Sequence, residues 1–418
     1  MFYKETCFQG STSGEIPKTW KTGDAKLLDM QKGFPFGSEF FNGNKVGKPL
    51  IRIRDVGKTE TESYYSGSFD PTYLVKKGDI LVSMDGEFSV NLWNGPVGLL
   101  NQRVCKISPK EPKILNPLFL YYELQKPLKV IESQIGQTTV KHLLDKDLDK
   151  IRIPLPEIEE QRAIVGVLGV VDSAIELADQ VIAKTERLKK GLMQQLLTYG
   201  IGHTECQNTP IGKMPKEWQA IQLKDVVRSY KNGIYKPSQY AGKGHPCVRM
   251  YNIVAGQINL VNAALLEVTD RELEEFGLEA GDVIVNRVNT SELVGKAGVV
   301  PASFGKATFE SKNIRVRLDM QKILPEFLSV FVQTKEYSNQ LLSKAKTAVA
   351  QATITQVDLD AIIIPLPPTI DEQREVADII ATIDKKLQLE KDEKIRMERI
   401  KRGLMDLLLT GKVRVKVG

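Results

Sequence analysis

Apolar side chains recur at alternating three- and four-residue steps in two stretches of the chain. In the first, Ile164, Leu168, Val171, Ile175, Ala178, Ile182, Leu192 and Leu196 fall on these steps; in the second, Val376, Ile380, Ile383, Leu387, Met397, Leu404 and Leu408 do. A sustained apolar period near 3.5 residues is the coiled-coil signature. The expected core is therefore Ile164, Leu168, Val171, Ile175, Ile182 and Leu192 against Val376, Ile380, Ile383, Leu387, Met397 and Leu404. Prolines stand just before each stretch, and Gly200 and Gly411 follow it, as helix start and stop chemistry requires. Acids gather early (Glu157, Glu159, Glu160; Asp371, Glu372) and bases late (Lys184, Arg187, Lys189, Lys190; Lys394, Arg396, Arg399, Lys401, Arg402), which complements the helix dipole. Two surface helices packed on their own domains are the alternative. Gly191 and Gly403 sit inside these helices at a cost of about 1 kcal/mol each relative to alanine. They suggest either a close backbone crossing or bend, or a relic of duplication.

The chain is written twice. Pro154-Leu155-Pro156 followed by Glu160-Gln161-Arg162 recurs as Pro365-Leu366-Pro367 followed by Glu372-Gln373-Arg374. Lys190-Gly191-Leu192-Met193 with Leu196-Leu197-Thr198 recurs as Arg402-Gly403-Leu404-Met405 with Leu408-Leu409-Thr410. Gly14-Glu15-Ile16-Pro17-Lys18-Thr19-Trp20 is echoed by Gly212-Lys213-Met214-Pro215-Lys216-Glu217-Trp218, and Gly78-Asp79-Ile80 by Gly281-Asp282-Val283. Ordered matches along the whole length mark a tandem duplication, each half a variable globular part followed by a common helical tail. A helix from about Glu157 to Thr198 spans roughly 60 Å. The short connector Tyr199–Gly212 then puts the second globular part at its far end, and the second helix runs back. The expectation is an α+β chain: two globular α/β parts joined by two long helices in an antiparallel coiled coil, with pseudo-two-fold symmetry. The tail Lys412–Val417 then returns near the N-terminus.

At 418 residues, with 42% hydrophobic and 26% charged, the chain has material for several cores and is not a disordered one. No run of about 18 apolar residues suggests a membrane span, and no apolar signal core follows Met1, so a cytoplasmic protein is expected. Cys7, Cys105, Cys206 and Cys247 are scattered without a Cys-x-x-Cys pair, which suits a reducing compartment and forms no metal knuckle. The three histidines, His142, His203 and His245, lie far apart, which argues against a metal site or proton relay. A net charge of +6 permits nucleic acid as a partner without requiring it.

Catalytic signatures are missing. Gly57-Lys58-Thr59 has Arg52 where a phosphate loop needs its first glycine. Asp70-Pro71-Thr72-Tyr73 faintly resembles a methyltransferase motif but lacks a cofactor loop, and reads as a turn. Asp85, Glu87 and Glu111-Pro112-Lys113 have no counterpart in the second copy that would make a nuclease. The loops read instead as nucleic-acid contacts, being rich in side chains that bond base edges and phosphates. The candidates in the first copy are Lys32, Phe36, Ser38, Arg52, Arg54, Asn101, Gln102 and Arg103. Those in the second are Lys231, Asn232, Lys236, Ser238, Arg249, Tyr251, Asn252, Asn286, Arg287, Asn289 and Thr290. Any one of these loops is also compatible with a solvated turn, and Arg52 and Arg249 with carboxylate pairing.

The doubled Pro-Leu-Pro…Glu-Gln-Arg helix starts, the doubled Gly-Leu-Met…Leu-Leu-Thr ends and the Gly411-Lys412-Val413-Arg414-Val415 finish resemble the specificity subunits of type I restriction-modification systems. Phe34-Pro35-Phe36-Gly37-Ser38 and Val294-Gly295-Lys296 resemble loops of that family's target-recognition domains, which adds Lys296 to the candidate contacts. The resemblance implies target-recognition domains at 1–153 and 201–364 and conserved helical spacers at 154–200 and 365–418. Each domain would read one half of a bipartite double-stranded DNA target, while the helices set the gap and dock two modification subunits. S-adenosylmethionine, ATP and Mg2+ would belong to partner modification and restriction subunits; this chain would hold no cofactor or metal and catalyse nothing. Gly37 stands where a longer polar or basic side chain is expected, and the first copy's equivalent of Asn286-Arg287 is Ser83-Met84, so the two readers cannot share one code. A structural adaptor with a coiled-coil handle, or a stand-alone methyltransferase or nuclease, are the competing readings.

Overall fold

The central strand of each globular part shows how the layers form. Ile80–Ser83 is buried at every position. Side chains alternate across a strand, so Ile80 and Val82 enter one core while Leu81 enters another. In the second copy Val283 and Val285 enter one core and Ile284 another. A strand apolar on both faces must be covered on both, and each copy supplies helices on one side and a smaller sheet on the other.

The computed structural model describes residues 2–11, 14–135, 141–302, 304–348 and 351–416. Val417, the last residue of the expected returning tail, lies outside them. The chain divides into two compact units, Met1–Asp179 with Glu393–Gly418, and Gln180–Asp392. In the first unit the main sheet has the order Val90–Leu92, Ile80–Ser83, Val104–Pro109, Leu28–Lys32, all antiparallel. The smaller sheet pairs Lys48–Ile51 in parallel with Gly98–Leu100, Leu99 opposite Leu50. The helix Pro117–Gln134 closes the main core with Phe119, Leu120, Leu124 and Leu128.

The second unit repeats this order as Ala297–Val299, Val283–Asn286, Asn313–Leu318, Val227–Asn232. It also repeats the parallel pair, with Val248 opposite Phe309. Two helices, Pro325–Phe331 and Lys335–Lys344, stand where the first unit has one, because Thr334 caps a new start by accepting from the Tyr337 N–H. The ladder between the two middle strands of each main sheet ends with Ser83 opposite Val104 and Asn286 opposite Asn313, so Ser83-Met84 and Asn286-Arg287 occupy equivalent places.

The long helices are Ile158–Tyr199 and Ile370–Leu408, of 42 and 39 residues. A glycine in the left-handed region follows each, Gly200 at φ 59° directly after the first and Gly411 at φ 68° after a short turn beyond the second, a conformation a side chain resists. Within the first unit, Asp172 pairs with Lys401 at 2.6 Å and Asp179 with Lys394 at 2.6 Å. Within the second, Glu186 pairs with Lys391 at 2.9 Å and Lys189 with Asp384 at 2.5 Å. Residue numbers fall on one helix as they rise on the other, so the helices pack antiparallel in each unit.

The heptad positions serve two purposes. Val171, Ile175, Ile182, Leu192, Ile383, Leu387, Met397 and Leu404 are half-buried. Ile164 and Leu168 instead join the main core of the first unit, and Val376 and Ile380 that of the second. The start of each helix is thus a domain-core element. Gly191 and Gly403 mark no close crossing: both are exposed, and a Cβ added at either would meet nothing within 4 Å.

The Glu-Gln-Arg repeat is a structural clamp. Gln161 accepts from the Asn116 N–H at 2.8 Å and donates to the Ile114 and Pro156 carbonyls, while Gln373 accepts from Leu324 and donates to Lys322. Each glutamine therefore secures the segment leading into the domain helix. Glu160 accepts from the Trp20 indole N–H at 3.2 Å, and Glu372 from Trp218 at 3.0 Å. Arg414 donates to both Glu160 oxygens at 2.5 and 2.6 Å, whereas Glu372 takes His203 at 2.8 Å. Arg162 and Arg374 make only exposed pairs with Glu159 and Asp371. Arg414 lies on the strand Val413–Val415, which pairs antiparallel with Phe2–Lys4, so the C-terminal tail does return to the N-terminal strand.

Candidate nucleic-acid interface

One edge of each unit is built by the same backbone frame. In the first unit Gly33 packs so closely on the chain that an added Cβ would strike the Asn101 carbonyl oxygen, and Phe34 bridges Asn101 in parallel. In the second, Gly233 faces the Glu310 carbonyl in the same way and Ile234 bridges Glu310. Only glycine permits that approach. Beside it, the Asn101 N–H donates to the Ile51 carbonyl, as the Glu310 N–H does to that of Val248. Arg52 and Arg249 then each open a short 3-10 turn, with Asp55 and Asn252 accepting from their backbone N–H groups at 2.9 Å. Met84 donates to the Arg103 carbonyl and Arg287 to the Lys312 carbonyl. The frame thus gathers residues 33–34, 52, 84 and 101–103 in one unit, and 233–234, 249, 287 and 310–312 in the other.

In the first unit Gln102 and Arg103 are exposed at this edge. Arg103 pairs with Asp85 at 3.3 Å, and Asp85 also takes His142 Nδ1 at 2.7 Å. Arg52 is half-buried with its guanidinium 6.0 Å from the Phe41 ring, and exposed Arg54 donates to Ser63 at 2.9 Å. Lys32 ends the Leu28–Lys32 strand, and Ser38 opens an exposed 3-10 turn. Phe36 is a correction. It is 7% exposed and packs on Tyr65 at 4.8 Å and Phe34 at 5.2 Å, because a ring in the small sheet's apolar core is removed from water. Asn101 is buried as well.

In the second unit Asn232, Ser238, Tyr251 and Thr290 are exposed, while Arg249, Arg287, Asn289 and Lys296 are half-buried. Arg249 Nε lies 3.6 Å from Glu310 Oε2, within ion-pair reach but too long for a hydrogen bond. Asn289 donates to Asn286 Oδ1 at 2.8 Å. Asn286 and Asn252 are corrections: both are buried, Asn286 donating to Asn313 and the Lys312 carbonyl, Asn252 to the Asn259 carbonyl. A buried amide must spend its bonds inside. The two lysines are drawn elsewhere. Lys231 pairs with Glu275 at 2.6 Å over the Phe276 ring, and Lys236 with Glu272 at 2.7 Å over Tyr240.

The sequence reading missed Glu310, Ser311, Lys312 and the Asp85–His142 pair. An acid in a polyanion-reading set runs against the charge expectation, and Glu310 aligns with Asn101 only through the strand bridge. Burial pushes the Glu310 carboxyl up, against the pull of Arg249 and Lys312. Asp70 instead caps a turn: it accepts from the Thr72 N–H, and that bond lowers its pKa. Among the described residues no group of three or more His, Cys, Asp or Glu is placed to hold a metal, and no helix is long and apolar enough to cross a membrane.

Residues 27–187 and 215–399 each match the profile of the type I restriction modification DNA specificity domain. The chain is 29% identical over 423 residues to the MjaVIII type I restriction enzyme specificity subunit of Methanocaldococcus jannaschii, covering 99% of this chain and 98% of that one. It is 29% identical over 367 residues to the EcoBI specificity subunit of Escherichia coli, covering 84% and 76%. The crystal structure of a type I restriction-modification S subunit from M. genitalium shares the fold, with a TM-score of 0.57 at 17% identity over 96% of this chain and 97% of that one. With two copies of the family's domain taking in most of its length, the chain belongs to the specificity subunits of type I restriction-modification systems.

Proposed function

We propose that this subunit chooses the DNA site and leaves methylation and cleavage to its partners. Residues 1–153 and 201–364 act as target-recognition domains, each reading one half of an asymmetric bipartite double-stranded target. Residues 154–200 and 365–418 set the spacer and dock two modification subunits. S-adenosylmethionine, ATP and Mg2+ belong to those modification subunits and to restriction subunits. The observation that carries this reading is the duplicated edge: one backbone frame, but the second unit has Glu310 and Arg287 at the places where the first has Asn101 and Met84. Two readers on one frame with different side chains fit an asymmetric target.

The test is adenine-methylation mapping after co-expression with a cognate modification subunit, each protein also tested alone. Methylation at one split, asymmetric motif only when both are present is the expected result. Methylation by this chain alone would overturn the proposal. Arg103→Ala is expected to relax one half-site and Arg287→Ala the other, each by roughly 1–3 kcal/mol of discrimination. An adaptor that binds no DNA would tolerate both changes.

A further inference from the structure

Four buried side-chain polar atoms among the described residues lack a hydrogen-bond partner, and three of them are Arg249 Nε, Arg287 Nε and Thr308 Oγ1. Thr308 precedes Glu310 by two residues, and Glu310 is the carboxylate beside Arg249. Folded proteins pair nearly all such atoms. Their concentration at the edge of one unit indicates polar groups held ready for something the protein does not supply.

The pattern of donors and acceptors there is specific. Arg249 and Glu310 stand 3.6 Å apart with side chains 39% and 24% exposed, so each keeps bonding capacity toward solvent. Glu310 is fixed: its backbone N–H donates to Val248 at 3.1 Å and its chain bridges Ile234. A half-buried carboxylate repels phosphate and wants a donor. An arginine fork wants two acceptors. In the major groove a G·C pair presents both side by side, O6 and N7 on guanine and the N4 amino group on cytosine.

We propose that the second unit reads a G·C base pair through Arg249 and Glu310, the guanidinium donating to guanine O6 and N7 and the carboxylate accepting from cytosine N4. The inference rests on the site-choosing function proposed above and assigns it a base pair. Exposed Met250 and Tyr251, on the turn that Arg249 opens, flank the contact with apolar surface. The first unit has Asn101 where the second has Glu310, buried and without charge, so this reading belongs to one half-site alone.

The experiment selects bound duplexes from a randomised double-stranded DNA pool with the full chain in complex with its modification subunit. Wild type, Glu310→Gln and Arg249→Lys are compared. Wild type is expected to require a G·C pair at one position of one half-site. Glu310→Gln should lower the preference for that pair at least about tenfold and admit A·T, since a glutamine amide can turn its N–H2 group toward thymine O4 where the carboxylate could only accept from cytosine N4. Arg249→Lys loses the fork, and its preference should fall similarly. In both variants the other half-site should be read as before, which shows that the protein is folded. A wild-type half-site with no required G·C pair overturns the proposal. So does a uniform loss of affinity over all sequences, the mark of a phosphate contact. A wild-type complex that selects no sequence overturns the site-choosing function as well, which separates the two failures.

Discussion

Glu123 of the first unit is a buried carboxyl with an unbonded oxygen. It is 7% exposed, its Oε1 has no partner, and it lines a cavity of about 370 Å3 with Tyr122, Ile131, Ile151 and Met405. Burial raises its pKa well above the ordinary range, and Lys126 opposes this only in part. The folded state therefore binds the proton more tightly than the unfolded chain. Its contribution to stability is fully present below about pH 4, the unfolded range, and is lost as pH rises through the raised folded value. Glu123→Gln should remove that loss and stabilise the protein at pH 8 by about 1 kcal/mol or more, with little difference at pH 4, as read by urea unfolding at both pH values. Gly191 and Gly403 give a simpler case. Each stands on an exposed helix face with open space for a methyl group. Gly191→Ala and Gly403→Ala should each stabilise by up to about 1 kcal/mol, raising the midpoint of thermal unfolding. Unchanged or lowered midpoints would show that the glycines serve a purpose the packing does not reveal.

Among the elements, the C-terminal strand is held by charge as well as by its ladder. Arg414 bonds Glu160 bidentately, reaches Glu5 at 2.8 Å and Thr19 at 3.1 Å, and sits 5.3 Å from the Trp20 ring. The Glu160 bonds are the main reason its pKa is raised. Removing one partner of a buried pair leaves the other charge uncompensated, at about 3–5 kcal/mol. Arg414→Ala should therefore lower the denaturation midpoint of the first unit while the second, which uses His203 against Glu372, unfolds as before. Loss of less than about 1 kcal/mol would mean that the strand, not the ion pair, holds this end. The helix pair has a similar lock. Lys401 pairs with Asp172, Asp172 accepts from Tyr122 at 2.7 Å, and the domain helix is thereby tied to both long helices.

At the scale of the molecule, both long helices run through the division between the units, at Asp179–Gln180 and at Asp392–Glu393. If they set the distance between half-sites, their length should be readable in the target. Inserting four residues in each, near Ala178 and Glu390, adds about 6 Å of helix, or about two base pairs of spacer. Methylation mapping of the altered complex is expected to return the same half-sites with a longer gap. An unchanged gap would remove the helices from that role. Binding should also weaken steeply with salt if Arg and Lys side chains at the two edges neutralise phosphates.

The duplication, the two long helices and their antiparallel packing were legible because each rests on a local rule: repeated spacing, an apolar period, and a connector too short to let the second helix start elsewhere. The turn at Asp70 and the glycine stops at Gly200 and Gly411 were legible for the same reason, since chain conformation there depends on the residue and its neighbours. The contact set was not. Phe36, Asn252 and Asn286 carry the side chains expected of readers, yet burial commits them to the interior, while Glu310 reaches the edge through a strand bridge to a residue 76 positions away. Residue type decides what a side chain can bond to. Which of its atoms remain free for a ligand depends on what the packed neighbours have already taken, and only the tertiary structure decides that.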